Sequence, residues 1–180
     1  MKTVYLIRHA KSDWSGSVDD NERPLNDRGK RDAPMMANRL LDRKAKIDRF
    51  VSSPAKRAFS TAWAFASAYD QKKTDIVQEP ELYLPAPDAF YAVMEKFKDK
   101  DKSVAIISHN NGITDFANSL QLVKLDNMPT CSIFAFRAKT DSWESIRKAE
   151  KEFIFFDYPK KVWKGYIILN NQYYFRPRRV

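Results

Sequence analysis

Two histidines occur in the sequence, His9 and His109, and both stand in the same local setting. His9 follows Val4-Tyr5-Leu6-Ile7 and Arg8; His109 follows Val104-Ala105-Ile106-Ile107 and Ser108. Short unbroken apolar runs suit strands buried on both faces. Each imidazole is therefore expected just past the carboxyl end of a strand, where open α/β sheets bind ligands. A third run, ending in Val51-Ser52-Ser53, leads into a helix with Arg57 in its first turn. Helical side chains tilt towards the helix N-terminus, so Arg57 can lean back over the strand end. Arg8, His9, Arg57 and His109 are thus expected to converge. Guanidinium groups match the oxygens of a phosphate. One imidazole can take a phosphoryl group as a nucleophile, and a second, protonated by a nearby dianion, can stabilise the oxygens. The inventory fits phosphoryl transfer.

Composition narrows the alternatives. The chain of 180 residues holds four glycines, where average usage of roughly 7% would give about a dozen. A glycine-rich phosphate cradle has little to be built from, so an anion site must use side-chain cations. Cys131 is the single cysteine, which excludes an intramolecular disulfide or a cysteine-based zinc site. His9 with Asp13, and His109 with Asp115, could be read as metal ligands. Permanent cations at Arg8 and Arg57 would make a divalent ion there costly. The apolar run before Arg8 is too short for a signal peptide, and no stretch approaches the roughly 20 residues of a membrane span. A cytoplasmic protein without a membrane partner is expected. The formal charge is +9, and six of those charges lie from Lys160 to Val180, a stretch without Asp or Glu, leaving +3 for residues 1–159.

The elements that must position these residues alternate. Strands are expected at Met1–Ile7, Ile47–Ser52, Asp75–Gln78, Ser103–Ser108, Ser132–Arg137 and Glu152–Phe156. Helices are expected at about 26–44, from Ser53-Pro54 to Tyr69, at 88–98, and from Asn110 or Asn111 to about Leu122. Ser53 reads as an N-cap and Pro54 as a first helical residue; Pro34 marks a start or a bend in the first helix. The inward face of that helix is read as Ala33, Met36, Ala37, Leu40 and Leu41. Strand–helix alternation indicates an α/β domain, a three-layer α/β/α sandwich with a mostly parallel central sheet. Residues 1–158 form one domain in this reading, and 159–180 a basic, aromatic extension, either an extra strand or a tail. Trp14, in the polar loop after His9, either packs or walls a pocket.

With those residues in view, Leu6-Ile7-Arg8-His9-Ala10-Lys11-Ser12 resembles the arginine-histidine signature of the histidine phosphatase superfamily, whose fold is phosphoglycerate mutase-like. Ser52-Ser53-Pro54-Ala55-Lys56-Arg57-Ala58, with Thr61-Ala62, is similar to its second arginine motif, and Ser108-His109-Asn110-Asn111-Gly112 to its second histidine motif. Pro24-Leu25-Asn26-Asp27-Arg28-Gly29 resembles the start of its first helix. Ala10 replaces the more usual glycine, and the R-H-A-K-S form resembles the short SixA-type phosphohistidine phosphatases. The resemblance implies His9 as the phosphorylated nucleophile, Arg8, Arg57 and His109 as the phosphate pocket, and no metal or organic cofactor. Ser12 and Asn110, within the same motifs, are candidate substrate-binding residues. For the leaving-group acid Glu81 matches best, with Glu79 and Asp13 as alternatives; a phosphoramidate could dispense with one.

No connection is long enough for a separate cap, so an open pocket is expected, for a phosphorylated protein side chain or small phosphomonoesters. A mutase of the phosphoglycerate type is disfavoured. A rival from another class is a binding protein using Lys160–Val180 on nucleic acid or an acidic surface. Charge alone argues weakly for that partner.

Overall fold

The computed structural model describes residues 1–161, 165–169 and 172–176. A six-stranded sheet forms its centre, in the order β3-β2-β4-β1-β5-β6. These strands are β1 (Lys2–Arg8), β2 (Arg49–Ser52), β3 (Val77–Gln78), β4 (Ser103–Ser108), β5 (Ile133–Ala138) and β6 (Lys151–Asp157). β3, β2, β4 and β1 run parallel, while β5 and β6 are antiparallel additions beside β1. The mostly parallel sheet expected from alternation is the one observed.

Four helices cover the two faces: α1 (Asp27–Asp42), α2 (Lys56–Ala68), α3 (Pro87–Met94) and α4 (Gly112–Ser119). Side chains alternate across a strand, and β1 shows the consequence. Tyr5 and Ile7 enter the core with Met36, Leu40, Phe65 and Ala66 of α1 and α2; Val4 and Leu6 enter the other, with Phe90, Ile113 and Phe116 of α3 and α4. Each layer of the sandwich thus follows from an apolar run buried on both sides.

Local signals behave unevenly. Asn26 caps α1 by accepting the Gly29 N–H at 2.9 Å. Pro34 neither starts nor ends that helix. It lies inside, on the exposed face, where the carbonyl it leaves without an amide partner can meet water. Leu41, expected inward, is exposed. Pro54 is not the first helical residue: α2 begins at Lys56 after Ala55, with no side-chain cap. α3 stops at Met94, and Lys96 and Phe97 bond three residues back to Val93 and Met94, a tightened last turn. Beyond the sandwich, β7 (Gly165–Leu169) and β8 (Gln172–Arg176) pair as an antiparallel two-stranded hairpin. Residues 162–164, 170–171 and 177–180 of the basic extension lie outside the described residues. Among the described residues no helix is long and apolar enough to cross a membrane.

Candidate active site

β1, β4 and β2 are neighbours in the sheet and parallel, so their carboxyl ends lie side by side. The ladder continues past the strands: His9 N–H donates to the Ser108 carbonyl at 3.0 Å, and Ser53 N–H to the Ile107 carbonyl at 3.0 Å. His9, His109 and the start of α2 are therefore fixed relative to one another by main-chain bonds. A cavity of about 380 Å³ opens there, walled by Arg8, His9, Arg57, His109, Asp20 and Tyr83, with Ser12, Arg23 and Asn110 among its other lining residues. The two imidazole centres are 5.0 Å apart.

His9 is 8% exposed. Its Nδ1 lies 2.7 Å from the Ala10 carbonyl, and a carbonyl only accepts, so the proton sits on Nδ1 and Nε2 carries the bare lone pair. Burial pushes its pKa down to about 4, with Arg57, Arg8 and Arg23 adding repulsion and the bond to Ala10 opposing. His109 is 1% exposed. Burial pushes it down to about 3, with His9 and Arg57 also unfavourable to its charge. Its Nε2 is 2.8 Å from Ser53 Oγ, which also accepts the Ala55 N–H at 3.3 Å. With the hydroxyl donating to Nε2, the His109 proton sits on Nδ1. Ser53, which reads in sequence as an N-cap, thus serves the histidine.

Arg8 is held by the loop before β5, its Nη1 donating to the Met128 carbonyl at 2.6 Å and to Asn127 Oδ1 at 3.4 Å. Arg57, 2% exposed, donates Nη1 to the Asp20 carbonyl and Nη2 to Asp20 Oδ2, the latter at 2.8 Å. Thr61 bridges the two motifs: its hydroxyl accepts the Ala10 N–H at 3.0 Å and donates to the Arg57 carbonyl at 2.7 Å. Arg8 Nε, Arg57 Nε and His109 Nδ1 are all buried without a hydrogen-bond partner. Buried donors without partners are costly, and three of them on the residues of one cavity describe an anion site. Ser12 and Asn110 line the same cavity but spend polar atoms on neighbours. Ser12 Oγ accepts from Arg23 at 3.1 Å, and Asn110 bonds Asn127 and Thr114.

The acid candidates are not brought in. Glu81 does not line the cavity. It pairs with Lys96 at 2.8 Å, and that bond holds its carboxyl below the usual range. Glu79 pairs with the same lysine at 3.3 Å. Asp13 accepts the Ser15 N–H and hydroxyl, which lower its pKa, and it too lies outside the lining. An ionised, lysine-paired surface carboxylate is poorly suited to donate a proton.

Instead the loop after β1 supplies Asp20 and Arg23, and the segment after β3 supplies Tyr83. Asp20 bonds Arg23, Arg57 and the Tyr83 hydroxyl, and these bonds keep it ionised. Arg23 lies 3.5 Å over the Trp14 ring, which is exposed at the cavity mouth beside Leu84. The spacing of Asp20 and Arg23, three residues apart in a helical turn, was the available sequence signal for this pair; Tyr83 had none. Among the described residues no group of three His, Cys, Asp or Glu is placed to hold a metal ion. A second cleft of about 500 Å³, basic and lined by Arg43, Lys44, Lys102 and Arg137, contains neither histidine.

The motif resemblance is met by comparison with known proteins. Residues 4–83, which include Arg8, His9, Arg57 and Tyr83, match the sequence profile of the Histidine phosphatase superfamily (branch 1). Among solved structures, one described as a SixA phosphohistidine phosphatase from Agrobacterium tumefaciens superposes with a TM-score of 0.72 at 24% identity, over 88% of this chain and 99% of that one. The protein histidine phosphatase SixA complexed with tungstate gives a TM-score of 0.74 at 22% identity, over 87% and 97% of the two chains. A SixA-type structure from Nakamurella multipartitia gives 0.72 at 19% identity, over 89% and 97%. At such identities the likeness establishes the fold, which is phosphoglycerate mutase-like. No curated protein sequence matches the chain.

Proposed function

We propose that this chain is a metal-independent histidine phosphatase that works through a phosphohistidine on His9, its catalytic domain spanning residues 1–158. The observation carrying this reading is the set of three buried, unpartnered nitrogens, Arg8 Nε, Arg57 Nε and His109 Nδ1, on residues that line the same cavity as His9 with its bare Nε2. The donors suit phosphoryl oxygens; the lone pair suits phosphorus. In the first step Nε2 forms a bond to phosphorus as the bond to the leaving group breaks. In the second, water attacks phosphorus, the Nε2–P bond breaks and phosphate departs. Burial favours neutral His109, and a bound dianion favours its protonation and hence its charge on the equatorial oxygens.

The leaving group decides the substrate class. Among the described residues Asp20 is the one carboxylate lining the cavity, and it is held ionised by its donors, so it does not supply a proton. General acid catalysis is worth roughly 10²–10⁴ in rate to a reaction that needs it. An alkoxide needs it; a phosphohistidine whose other ring nitrogen already carries a proton leaves as neutral imidazole and does not. This supports a phosphohistidine side chain as substrate, with phosphoesters of acidic alcohols as surrogates. The exposed Trp14 and Leu84 at the mouth suit a protein-borne group. Turnover of a phosphohistidine protein, p-nitrophenyl phosphate and an alkyl phosphate, with and without EDTA, tests the proposal. The first two are expected to be hydrolysed, the third at least about a hundredfold more slowly, and EDTA to have no effect. Equal rates on the alkyl phosphate, or activity abolished by EDTA, would contradict it.

A further inference from the structure

The cavity mixes charges in an unexpected way. Among the described residues four cations line it, Arg8, Lys11, Arg23 and Arg57, and with them one carboxylate, that of Asp20. A carboxylate repels an incoming phosphate, so its place there calls for a reason. Asp20 Oδ1 accepts Arg23 Nε at 3.0 Å and Nη2 at 2.6 Å; Oδ2 accepts Arg57 Nη2 at 2.8 Å and the Tyr83 hydroxyl at 2.7 Å. Its main-chain carbonyl accepts Arg57 Nη1 as well. Four donors use about all the acceptor sites a carboxylate has, so Asp20 has nothing left with which to bind a substrate. The same bonds tie three segments together, the loop after β1, the start of α2 and the segment after β3. The Tyr83 ring stands edge-on to His109 at 5.5 Å.

Arg57 still has donors to spare. Its Nε is buried and unpartnered while both Nη atoms face Asp20. Asp20 accepts one bond from each Nη, and a guanidinium has five N–H donors, so an anion can be held by Arg57 without displacing the carboxylate. Four uncompensated cations would hold substrate and product phosphate alike. Such uniform binding does not speed turnover, and slow product release would limit it.

Resting on the phosphatase reading, we infer that Asp20 is a retained counter-charge: it orients Arg57 and weakens the pocket's hold on inorganic phosphate, so that the product is released. A unit charge roughly 6 Å from a dianion changes its affinity by about tenfold even at the dielectric constant of water. A residue that only positioned Arg57 would act in the opposite direction, since its loss would loosen a phosphate ligand.

The readout is binding of inorganic phosphate, by calorimetry, to the wild-type chain and to Asp20→Asn, Asp20→Ala and Asp20→Glu, with thermal unfolding to confirm that each is folded. Asp20→Ala is the second neutral variant, which places no amide N–H against Arg57. The inference expects either folded neutral variant to bind phosphate about tenfold more tightly, Asp20→Glu to stay within about threefold of wild type, and kcat to fall together with KM in the neutral variants. Phosphate binding by the wild type with equal or weaker binding by the neutral variants overturns the inference and leaves the phosphatase reading standing. Binding by the neutral variants alone supports it. Absence of binding by every form overturns both.

Discussion

An imidazole attacks phosphorus through a bare nitrogen, and its neighbours decide which nitrogen that is. At His9 the Ala10 carbonyl takes the Nδ1 proton, and burial beside arginines keeps the ring neutral. The sign matters for pH. With a pKa lowered to about 4, His9 keeps its lone pair throughout the neutral range and loses it only as pH falls through that value. Two histidines make this simple to observe. In an NMR titration of the ligand-free protein, neither imidazole is expected to titrate between pH 8 and 5.5, and added phosphate is expected to bring the His109 transition upward. A transition near 6.5 for His9 in the free protein would contradict the burial argument. At this scale Arg8, His9, Arg57 and His109 were legible because each follows an apolar run at fixed spacing. Asp20, Arg23 and Tyr83 were not: the spacing of Asp20 and Arg23 signals only their own pairing, and contacts across 37 and 63 residues bring Asp20 to Arg57 and Tyr83.

Helices and strands place those residues through close main-chain approaches. α1 meets the segment after His9 at Gly29, where an added Cβ would lie 2.1 Å from the Lys11 carbonyl oxygen. Gly29→Ala therefore has to displace backbone beside the site. It is expected to cost about 1–3 kcal/mol in denaturant unfolding, as overpacking does, and to lower activity. Asn26→Ala removes only the cap of the same helix, about 1 kcal/mol, with activity retained. Equal activity in the two variants would contradict the packing account. The alternation of strands and helices was legible because short unbroken apolar runs alternate with segments whose apolar residues recur at helical spacing. The start of α2 was misread: Ser53 and Pro54 carry a cap signal, but the hydroxyl goes to His109 and the helix opens at Lys56. Tertiary demand outweighed local propensity there, as it did at Pro34, which the exposed side of α1 accommodates.

Across the whole molecule, net charge says less than its distribution. Six of the nine formal charges belong to Lys160–Val180, so residues 1–159 are mildly basic, and the proposed phosphate site rests on a few buried side chains instead of a general field. Glycine scarcity is met in the same way: the proposed anion site is made of guanidinium and imidazole groups, with no glycine in its lining. The mouth, with exposed Trp14 and Leu84, was only half legible; sequence placed Trp14 in a polar loop, but not the Arg23 guanidinium beneath its ring. The central claim is covalent chemistry at His9, and trapping the intermediate tests it most directly. Wild-type protein quenched during turnover of substrate labelled in the phosphoryl group should carry label that is stable in alkali, released by acid and located on His9, whereas His9→Asn should carry none. Label retained in His9→Asn, or an acid-stable linkage in the wild type, would contradict the account.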